Sequence, residues 1–291
     1  MSREMGTKVS IRRARPADSA KCGAICYAAF TAINEKHGFP CDFPAPEAAV
    51  GLLSMMFSHA GIYAVVAEYE GRIVGSNALD ERSEICGVGP ITIDPGAQNL
   101  GVGRALMEAV MTRARERKAA GVRLVQAAFH NRSLSLYATM GFDVREPLSC
   151  VQGQLHDRSH PGCVVRPATQ ADVGLCNELS YRVHGFHRDT DLKEAVAQGT
   201  TMVVERDGRI TGYSSHVGFF GHSTAESNLD LQALIASAES LEGPGILVPS
   251  RNTSLLRWCL GNGLRVIQPM TLMSTGLYNE PSGAWLPSVL Y

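Results

Sequence analysis

A glycine-rich stretch in the first half of the chain has the residue types that bind a phosphate group. Gln98-Asn-Leu-Gly101-Val-Gly103 follows a run of strand-forming residues and leads into a segment whose apolar spacing predicts a helix over 102–119. Glycines let successive backbone N–H groups converge, and a helix N-terminus carries about half a positive charge. The stretch therefore predicts a phosphate or pyrophosphate site, and a glycine-rich turn without a ligand is the alternative.

Two other phosphate-binding loops are excluded because the residues that they require are missing. A dinucleotide-binding G-x-G-x-x-G/A turn needs an acidic residue about 20 positions later, at the end of the next strand, to hold the ribose. The next predicted strand, over 122–129, contains no Asp or Glu. A Walker A loop needs G-K-[ST], and no glycine-rich run here is followed by that sequence.

A second motif, Leu136-Tyr-Ala-Thr-Met-Gly-Phe142, follows the predicted strand. The glycine-rich stretch resembles the Q/R-x-x-G-x-G/A acyl-CoA pyrophosphate signature of the GNAT (Gcn5-related N-acetyltransferase) superfamily. The second motif resembles the L-Y-x-x-x-G-F segment of the same superfamily, at a typical distance. The resemblance is close over about residues 85–150 and weaker over 9–80.

The resemblance implies a V-splayed mixed sheet, acetyl-CoA as co-substrate and a set of cofactor-binding residues. The fourth strand of such a sheet presents its backbone to the pantetheine arm, a role that falls to Ile91 and Ile93. For Arg104, a contact with the diphosphate and a solvated surface position are both open. The cofactor-binding residues that the resemblance implies are Ile91, Ile93, Gln98, Asn99, Leu100, Gly101, Val102, Gly103, Arg104 and Asn131.

Two side chains are candidates for catalysis. Tyr137 matches the tyrosine that protonates the departing CoA thiolate in many members, and a core-packed tyrosine is the alternative. Seven positions earlier, where the family pattern has Asn, this chain has His130, followed by Asn131. A histidine titrates near neutral pH and could act as a base or position a water. Helix capping by His130 and Asn131 is the simpler interpretation.

The general base is left open by the sequence. Many relatives place a Glu on the fourth strand, but the matching stretch Cys86-Gly-Val-Gly-Pro90 contains no acid. A chain of water molecules is a further possibility. The candidates are Glu84, Glu81, Asp80, His130 and the C-terminal carboxylate of Tyr291.

Local patterns predict an α/β fold in which mixed sheets are flanked by helices, because strands and helices mix without strict alternation. In the first half, helices are predicted at about 17–31, 46–58, 102–119 and 132–140. Strands are predicted at about 9–14, 62–69, 72–80, 86–94, 122–129 and 142–152.

The second half repeats the first. Residues 9–18 resemble 163–172, Glu70–Gly75 resembles Asp207–Gly212, and an Asn-x-Ser-Leu sequence begins at both Asn131 and Asn252. Three matches in the same order predict two tandem GNAT-like domains. A polar stretch with Pro and Gly places the linker near residue 160. The predicted domains are 1–158, which binds acyl-CoA and is catalytic, and 163–291, which is degenerate.

The second copy lacks the cofactor loop. From Gly75 to Asn131 is 56 positions, whereas from Gly212 to Asn252 is only 40, and no Q-x-x-G-x-G sequence occurs between them. Trp258 is assigned to the position of Tyr137. The second domain is therefore expected not to bind CoA and to support the first domain or wall the acceptor cleft.

Composition limits the remaining classes. With 27 Lys and Arg against 28 Asp and Glu in 291 residues, the net charge of −1 gives no electrostatic argument for nucleic acid or an anionic membrane. The eight cysteines form no C-x-x-C pair, which favours reduced thiols and a cytoplasmic protein. No run of 18 apolar residues occurs. The histidines lack metal-ligand spacing, so no metal is expected.

Three functions are compatible with the sequence. The first is an N-acetyltransferase in which a small-molecule or peptide amine attacks acetyl-CoA directly. The second is a non-catalytic acyl-CoA sensor or regulator, and the third is a nucleotide or other phosphate-ligand protein of a different fold. The acceptor, acyl length, oligomeric state and physiological role have no sequence signature here.

Overall fold

The structure is a computed structural model that describes residues 9–290. The helices are α1 (Ser19–His37), α2 (Pro46–Ser58), α3 (Val102–Glu116), α4 (Asn131–Thr139), α5 (Val173–His184), α6 (Asp189–Ala197), α7 (Asn228–Ser237) and α8 (Thr253–Gly261). The strands are β1 (Ser10–Arg13), β2 (Ile62–Tyr69), β3 (Arg72–Asp80), β4 (Ile85–Val88), β5 (Thr92–Ile93), β6 (Gly121–Ala127), β7 (Asp143–Gln152), β8 (Val164–Pro167), β9 (Met202–Arg206), β10 (Arg209–Ser214), β11 (Ser223–Ala225), β12 (Ile246–Pro249), β13 (Arg265–Gly276) and β14 (Ala284–Leu286).

The order of elements predicted for the first half is confirmed, with one strand divided. The strand predicted over 86–94 is broken into β4 and β5 at Gly89 and Pro90. A proline has no N–H to donate to a sheet ladder, so the strand cannot continue through it. The first helix runs six residues further than predicted, to His37, and ends at Gly38 in a left-handed conformation with φ of 72°.

Contacts divide the chain into two compact units. The first comprises the chain up to Glu81 together with Val88–Ala119. In it β2 pairs antiparallel with β1 and β3, and β3 pairs with β5. Helix α3 packs on β2 and β3. Its buried residues are Val102, Leu106, Met107, Val110 and Ala114, which lie on one apolar face of the helix.

The second unit, Arg82–Gly87 with the chain from Ala120 onward, contains a mixed sheet in the order β4-β6-β13-β7-β12. Strand β4 pairs parallel with β6, and the other pairs are antiparallel. Strand β13 of the second repeat lies between β6 and β7 of the first, while β7 lies beside β12 of the second. The two repeats thus exchange their last strands within one sheet.

A second sheet in this unit is antiparallel, in the order β14-β11-β10-β9-β8. Helix α7 packs on β9, β10 and β11, and its buried side chains form a core with Val204 and Ala225 of the sheet. The chain between β7 and β8, residues 153–163, has no helix or strand. The boundary proposed near residue 160 falls in this segment.

The duplication is confirmed by matching ion triads. Arg12 Nη1 lies 2.7 Å from an Asp18 carboxylate oxygen, and Arg12 Nε lies 2.8 Å from Glu68. In the second repeat Arg166 makes the same two contacts, at 2.8 Å to Asp172 and 2.6 Å to Glu205. Each triad joins the first strand of its repeat to the turn that starts the first helix.

Helices α4 and α8 also match, but one residue away from the sequence alignment. Each has nine residues, and the N-cap residues are His130 (φ −90°, ψ 77°) and Asn252 (φ −77°, ψ 67°). Tyr137 therefore corresponds to Cys259, which is buried like it, and the assignment to Trp258 was wrong. Cys259 has no phenol, so the second repeat lacks the proposed acid in either register.

Candidate active site

The glycine-rich stretch forms an exposed turn between β5 and α3 in the first unit. The Asp94 carboxylate accepts a hydrogen bond of 2.9 Å from the Gly96 amide and starts a short turn over 95–97. Asn99 and Gly101 then adopt left-handed conformations, with φ of 71° and 80°. Gly101 is the N-cap of α3 and has no side chain to cap the helix.

The amides of this turn are available to a ligand. Within residues 9–290, the N–H groups of Leu100, Gly101, Val102 and Gly103 donate no hydrogen bond. The first turn of α3 contains no acid, and exposed Arg104 adds a positive charge there. A cation in the first turn opposes the helix dipole unless an anion is bound. The turn can therefore bind a diphosphate through amides and one guanidinium.

The other residues predicted to bind the cofactor in this unit lie just before the turn. Ile93 belongs to β5, where it pairs with Gly75 of β3, and Ile91 precedes the strand. Both are half-buried. Among the described strands of this unit, β5 pairs with β3 alone. A two-residue strand with one paired edge offers its other edge to an extended ligand.

Tyr137, His130 and Asn131 lie in the second unit, on α4. The Tyr137 side chain is 5% exposed, and its ring centroid lies 6.2 Å from that of Phe142. Burial raises the pKa of the Tyr137 phenol above its ordinary value. Desolvation is the one cause of this rise, and no charge or hydrogen bond contributes to it. The phenol therefore keeps its proton and has it available to donate.

His130 caps α4 through its backbone rather than through its ring. The His130 carbonyl accepts hydrogen bonds from the Ser133 and Leu134 amides, at 3.1 and 3.2 Å, and the imidazole makes no capping bond. Asn131 is exposed at the first position of the helix, and its carbonyl accepts a 2.8 Å bond from the Ser135 hydroxyl. The capping predicted for this pair is thus a backbone cap.

Among the candidate bases, Glu81 is already committed to an ion-pair network in the first unit. Its buried carboxylate accepts bonds of 2.5 and 3.1 Å from Arg113 and one of 3.2 Å from Arg117. The two guanidiniums therefore occupy both of its oxygens. Asp80 is half-buried at the end of β3, Glu84 is exposed, and Tyr291 lies outside the described residues.

In the second repeat, the start of the third helix, α7, is capped by a side chain, whereas the start of α3 in the first repeat is not. Helix α7 begins only two residues after β11, at Asn228, so no loop precedes it. Ser227 caps the helix by accepting a hydrogen bond from the Asp230 amide, and the buried Asp230 carboxylate pairs with Arg206 at 2.9 Å. A capped, acidic helix start does not attract phosphate.

A cavity of about 400 Å³ lies at the starts of α7 and α8, and no sequence motif indicated it. Glu146, Glu280 and Trp285 line it. Arg251 bridges the two carboxylates, with one contact of 2.5 Å to Glu146. Strand β14 pairs with β11 beside it. The charges of the cavity are therefore largely paired internally.

Comparisons with known proteins agree with the two motifs. Residues 29–142 match the model of the acetyltransferase (GNAT) family. This segment is therefore similar to a GNAT acetyltransferase domain. The matched segment includes both the glycine-rich turn and Tyr137. None of the curated proteins compared with the chain matches it.

Solved structures extend the likeness beyond the GNAT domain. A candidate acetyltransferase from Pyrococcus horikoshii is 16% identical, with a TM-score of 0.73 over 98% of this chain and 96% of its own. A GCN5-related N-acetyltransferase from Sphaerobacter thermophilus is 16% identical, with a TM-score of 0.60 over 94% and 98%. A tandem GNAT protein from the clavulanic acid biosynthesis pathway is 14% identical, with a TM-score of 0.57 over 97% and 100%. At these identities the likeness shows the fold, which is that of tandem GNAT-like domains.

Other classes of site are sparse in the described chain. Residues 9–290 contain no group of three His, Cys, Asp or Glu side chains that could hold a metal ion. Over the same residues, no helix has the length and apolar character needed to span a membrane. All eight cysteines are free thiols.

Proposed function

We propose that the protein is an N-acetyltransferase that transfers the acetyl group of acetyl-CoA to an amine. The observation that carries the proposal is the uncapped start of α3, where four consecutive amides from Leu100 to Gly103 lack hydrogen-bond partners in the described chain. It lies in the segment that matches the GNAT family of acetyltransferases. The turn is missing from the second repeat, which is expected not to bind CoA.

In the proposed mechanism the neutral amine attacks the thioester carbonyl directly. The backbone N–H near Ile91 would stabilise the oxyanion of the tetrahedral intermediate. When the C–S bond breaks, Tyr137 gives its proton to the thiolate, which leaves as CoA thiol. The proton that the amine releases would pass to water or His130, and the phenolate is reprotonated from solvent.

To test the proposal, the protein is incubated with acetyl-CoA and a panel of amines, and the release of CoA thiol is measured. Tyr137→Phe should slow turnover, and Gly101→Glu should weaken CoA binding about 100-fold or more. Gly208→Glu is the control for Gly101→Glu, since Gly208 also has a positive φ and open space around its Cα. Unchanged turnover in both Tyr137→Phe and Gly101→Glu would show that the site is misassigned.

A non-catalytic acyl-CoA sensor is the second candidate. It is favoured by the fourth-strand stretch Cys86–Pro90, which has no acid, and by the pairing of Glu81 with two arginines. A sensor would bind CoA tightly in calorimetry and release no thiol with any amine. Turnover with a single amine excludes it.

The acceptor is proposed to be a small molecule or a peptide amine, without nucleic acid or a membrane as partner. The near-neutral net charge supports this, since no basic excess is available to bind a polyanion. The free cysteines support a reducing compartment such as the cytoplasm. Fractionation of cells that express the protein tests the location.

A further inference from the structure

Three arginine side chains of the first unit lie around one tyrosine and one glutamate. The guanidinium carbons of Arg13, at the end of β1, and Arg113, on α3, lie 4.2 and 5.2 Å from the centroid of the Tyr63 ring. Arg113 and Arg117 both donate to the Glu81 carboxylate, at 2.5 and 3.2 Å. We call Arg13, Arg113 and Arg117 the arginine cluster. Because one carboxylate accompanies three guanidiniums, the group has an excess of two positive charges.

The exposed guanidinium of Arg13 has one edge that the fold does not use. Within residues 9–290 the side chain donates a single long hydrogen bond, from Nη1 to the Ala64 carbonyl at 3.4 Å, and forms no ion pair. The remaining donors, Nε and Nη2, form a fork that matches two oxygens of one phosphate or carboxylate. Contact with the Tyr63 ring restricts the guanidinium, so less side-chain freedom is lost when this edge binds an anion.

The second repeat shows that the shared fold forms without the arginine cluster. When the repeats are aligned on their Arg-Asp-Glu triads, Arg13 corresponds to Pro167 and Tyr63 corresponds to Thr200. Arg113 is the twelfth residue of α3, whereas α7 has only 10 residues and therefore no counterpart. Like charges that are held together repel each other, and a bound anion would relieve that repulsion.

The arginine cluster lies too far from the cofactor turn to bind a phosphate of the same CoA molecule. Gly101 and Arg113 are at opposite ends of α3, and 12 residues of helix correspond to about 18 Å along its axis. In CoA a single ribose separates the 3′-phosphate from the diphosphate, which is a much shorter distance. A phosphate at the cluster therefore belongs to another ligand.

We propose that the arginine cluster binds the phosphate group of a second ligand, a phosphate monoester. Such a group carries almost two negative charges at neutral pH, which matches the excess charge of the cluster. A carboxylate could accept the same fork from Arg13 but would leave one positive charge uncompensated, and a cation would be repelled. The ester can belong to a free small molecule or to a phosphorylated side chain of another protein, since both present the same chemistry.

Calorimetry at constant ionic strength tests the site, with saturating CoA present so that the cofactor turn is occupied. The probes are O-phosphoserine and a peptide that contains one phosphoserine, and serine and the unphosphorylated peptide serve as their references. Arg13→Gln should weaken the binding of both phosphorylated probes about 10-fold or more, because charge-assisted hydrogen bonds are lost. Arg13→Lys keeps the charge without the fork, so its affinity should lie between those of wild type and Arg13→Gln.

Arg72→Gln is the matched control, because it removes an exposed arginine of the same unit at the turn between β2 and β3. It should leave phosphoserine affinity unchanged, and Arg13→Gln should leave CoA affinity unchanged. A phosphopeptide that binds more than tenfold tighter than O-phosphoserine supports a protein as the source of the phosphate, and equal affinities support a small molecule.

The inference is overturned if the wild type binds neither phosphorylated probe, or if Arg13→Gln binds them as well as the wild type does. Equal weakening by Arg72→Gln also overturns it, since that result would reflect the general charge of the unit. If the wild type binds no CoA, the proposed function fails, and the comparison of Arg13→Gln with wild type still decides this inference.

Discussion

Replacing Gly101 by glutamate tests the cofactor turn most directly. The residue has φ of +80°, and a Cβ added there would meet no atom within 4 Å. The substitution therefore causes no clash. Its cost to folding is that of holding an L-residue in the left-handed region, about 1–2 kcal/mol.

The expected effect on binding is much larger, because the new carboxylate stands beside the amides proposed to bind the diphosphate. At a separation of about 5 Å and an effective dielectric constant of about 20, two unit charges repel by about 3 kcal/mol. That corresponds to a loss of CoA affinity of about 100-fold or more. Isothermal titration with CoA measures it.

Two control variants separate strain from charge. Gly208→Glu places the same residue at φ of +73° in open space, in the turn between β9 and β10. It should lower the free energy of unfolding as much as Gly101→Glu does and leave CoA affinity unchanged. Gly101→Ala should lower the free energy of unfolding in the same way, but it adds no charge and should weaken CoA binding only slightly. If Gly101→Glu and Gly208→Glu bind CoA within threefold of each other, the turn does not hold the diphosphate.

Three further predictions concern single side chains. Tyr137→Phe should lower kcat about 100-fold with little change in CoA affinity, because it removes only the proton donor; stopped assays of thiol release measure this. Because burial raises the pKa of Tyr137, the phenol stays protonated, and kcat should not fall between pH 7 and about pH 10. A pH profile of kcat that falls near pH 8 in the wild type, but not in Tyr137→Phe, would contradict this. Hydrogen bonding to Arg166 lowers the pKa of the Asp172 carboxyl, so its contribution to stability is present above pH 4 and is lost as the pH falls through the lowered value. Asp172→Asn should therefore cost about 2 kcal/mol in denaturant unfolding at pH 7 and less at pH 2, whereas exposed Asp207→Asn should cost little at either pH.

Local sequence signals were sufficient to predict the bounds of a helix or strand where a residue with a strong conformational preference lies at its end. The predicted bounds of α2, β2 and β3 match the structure, because Pro46 starts the helix and Glu70-Gly71 forms the turn between the strands. The strand predicted over 86–94 was wrong as a single element, because an apolar run was given more weight than Pro90. The turn before α3 was found because glycine is needed at a positive φ there.

The strand exchange could not have been predicted from local patterns. Strands β7 and β13 follow equivalent helices and carry similar alternation, so each could pair within its own repeat or within the other. Their partners depend on registers that join residues more than 100 positions apart, such as Met270 with Ala127. For the same reason, the pairing of Glu146 with Arg251 and the cavity beside it had no signature in the sequence.

The two repeats together distinguish residues needed for the fold from residues needed for chemistry. Both repeats keep the Arg-Asp-Glu triad that fixes the first strand, so that triad belongs to the fold. They differ at the start of the third helix, which is uncapped at Gly101 and capped by Ser227. They differ again at Tyr137, whose counterpart is Cys259. Since the second repeat forms the matching strand and helix without an open helix start or a phenol, stability does not explain why the first repeat has them. The proposed binding and turnover of acetyl-CoA would explain them.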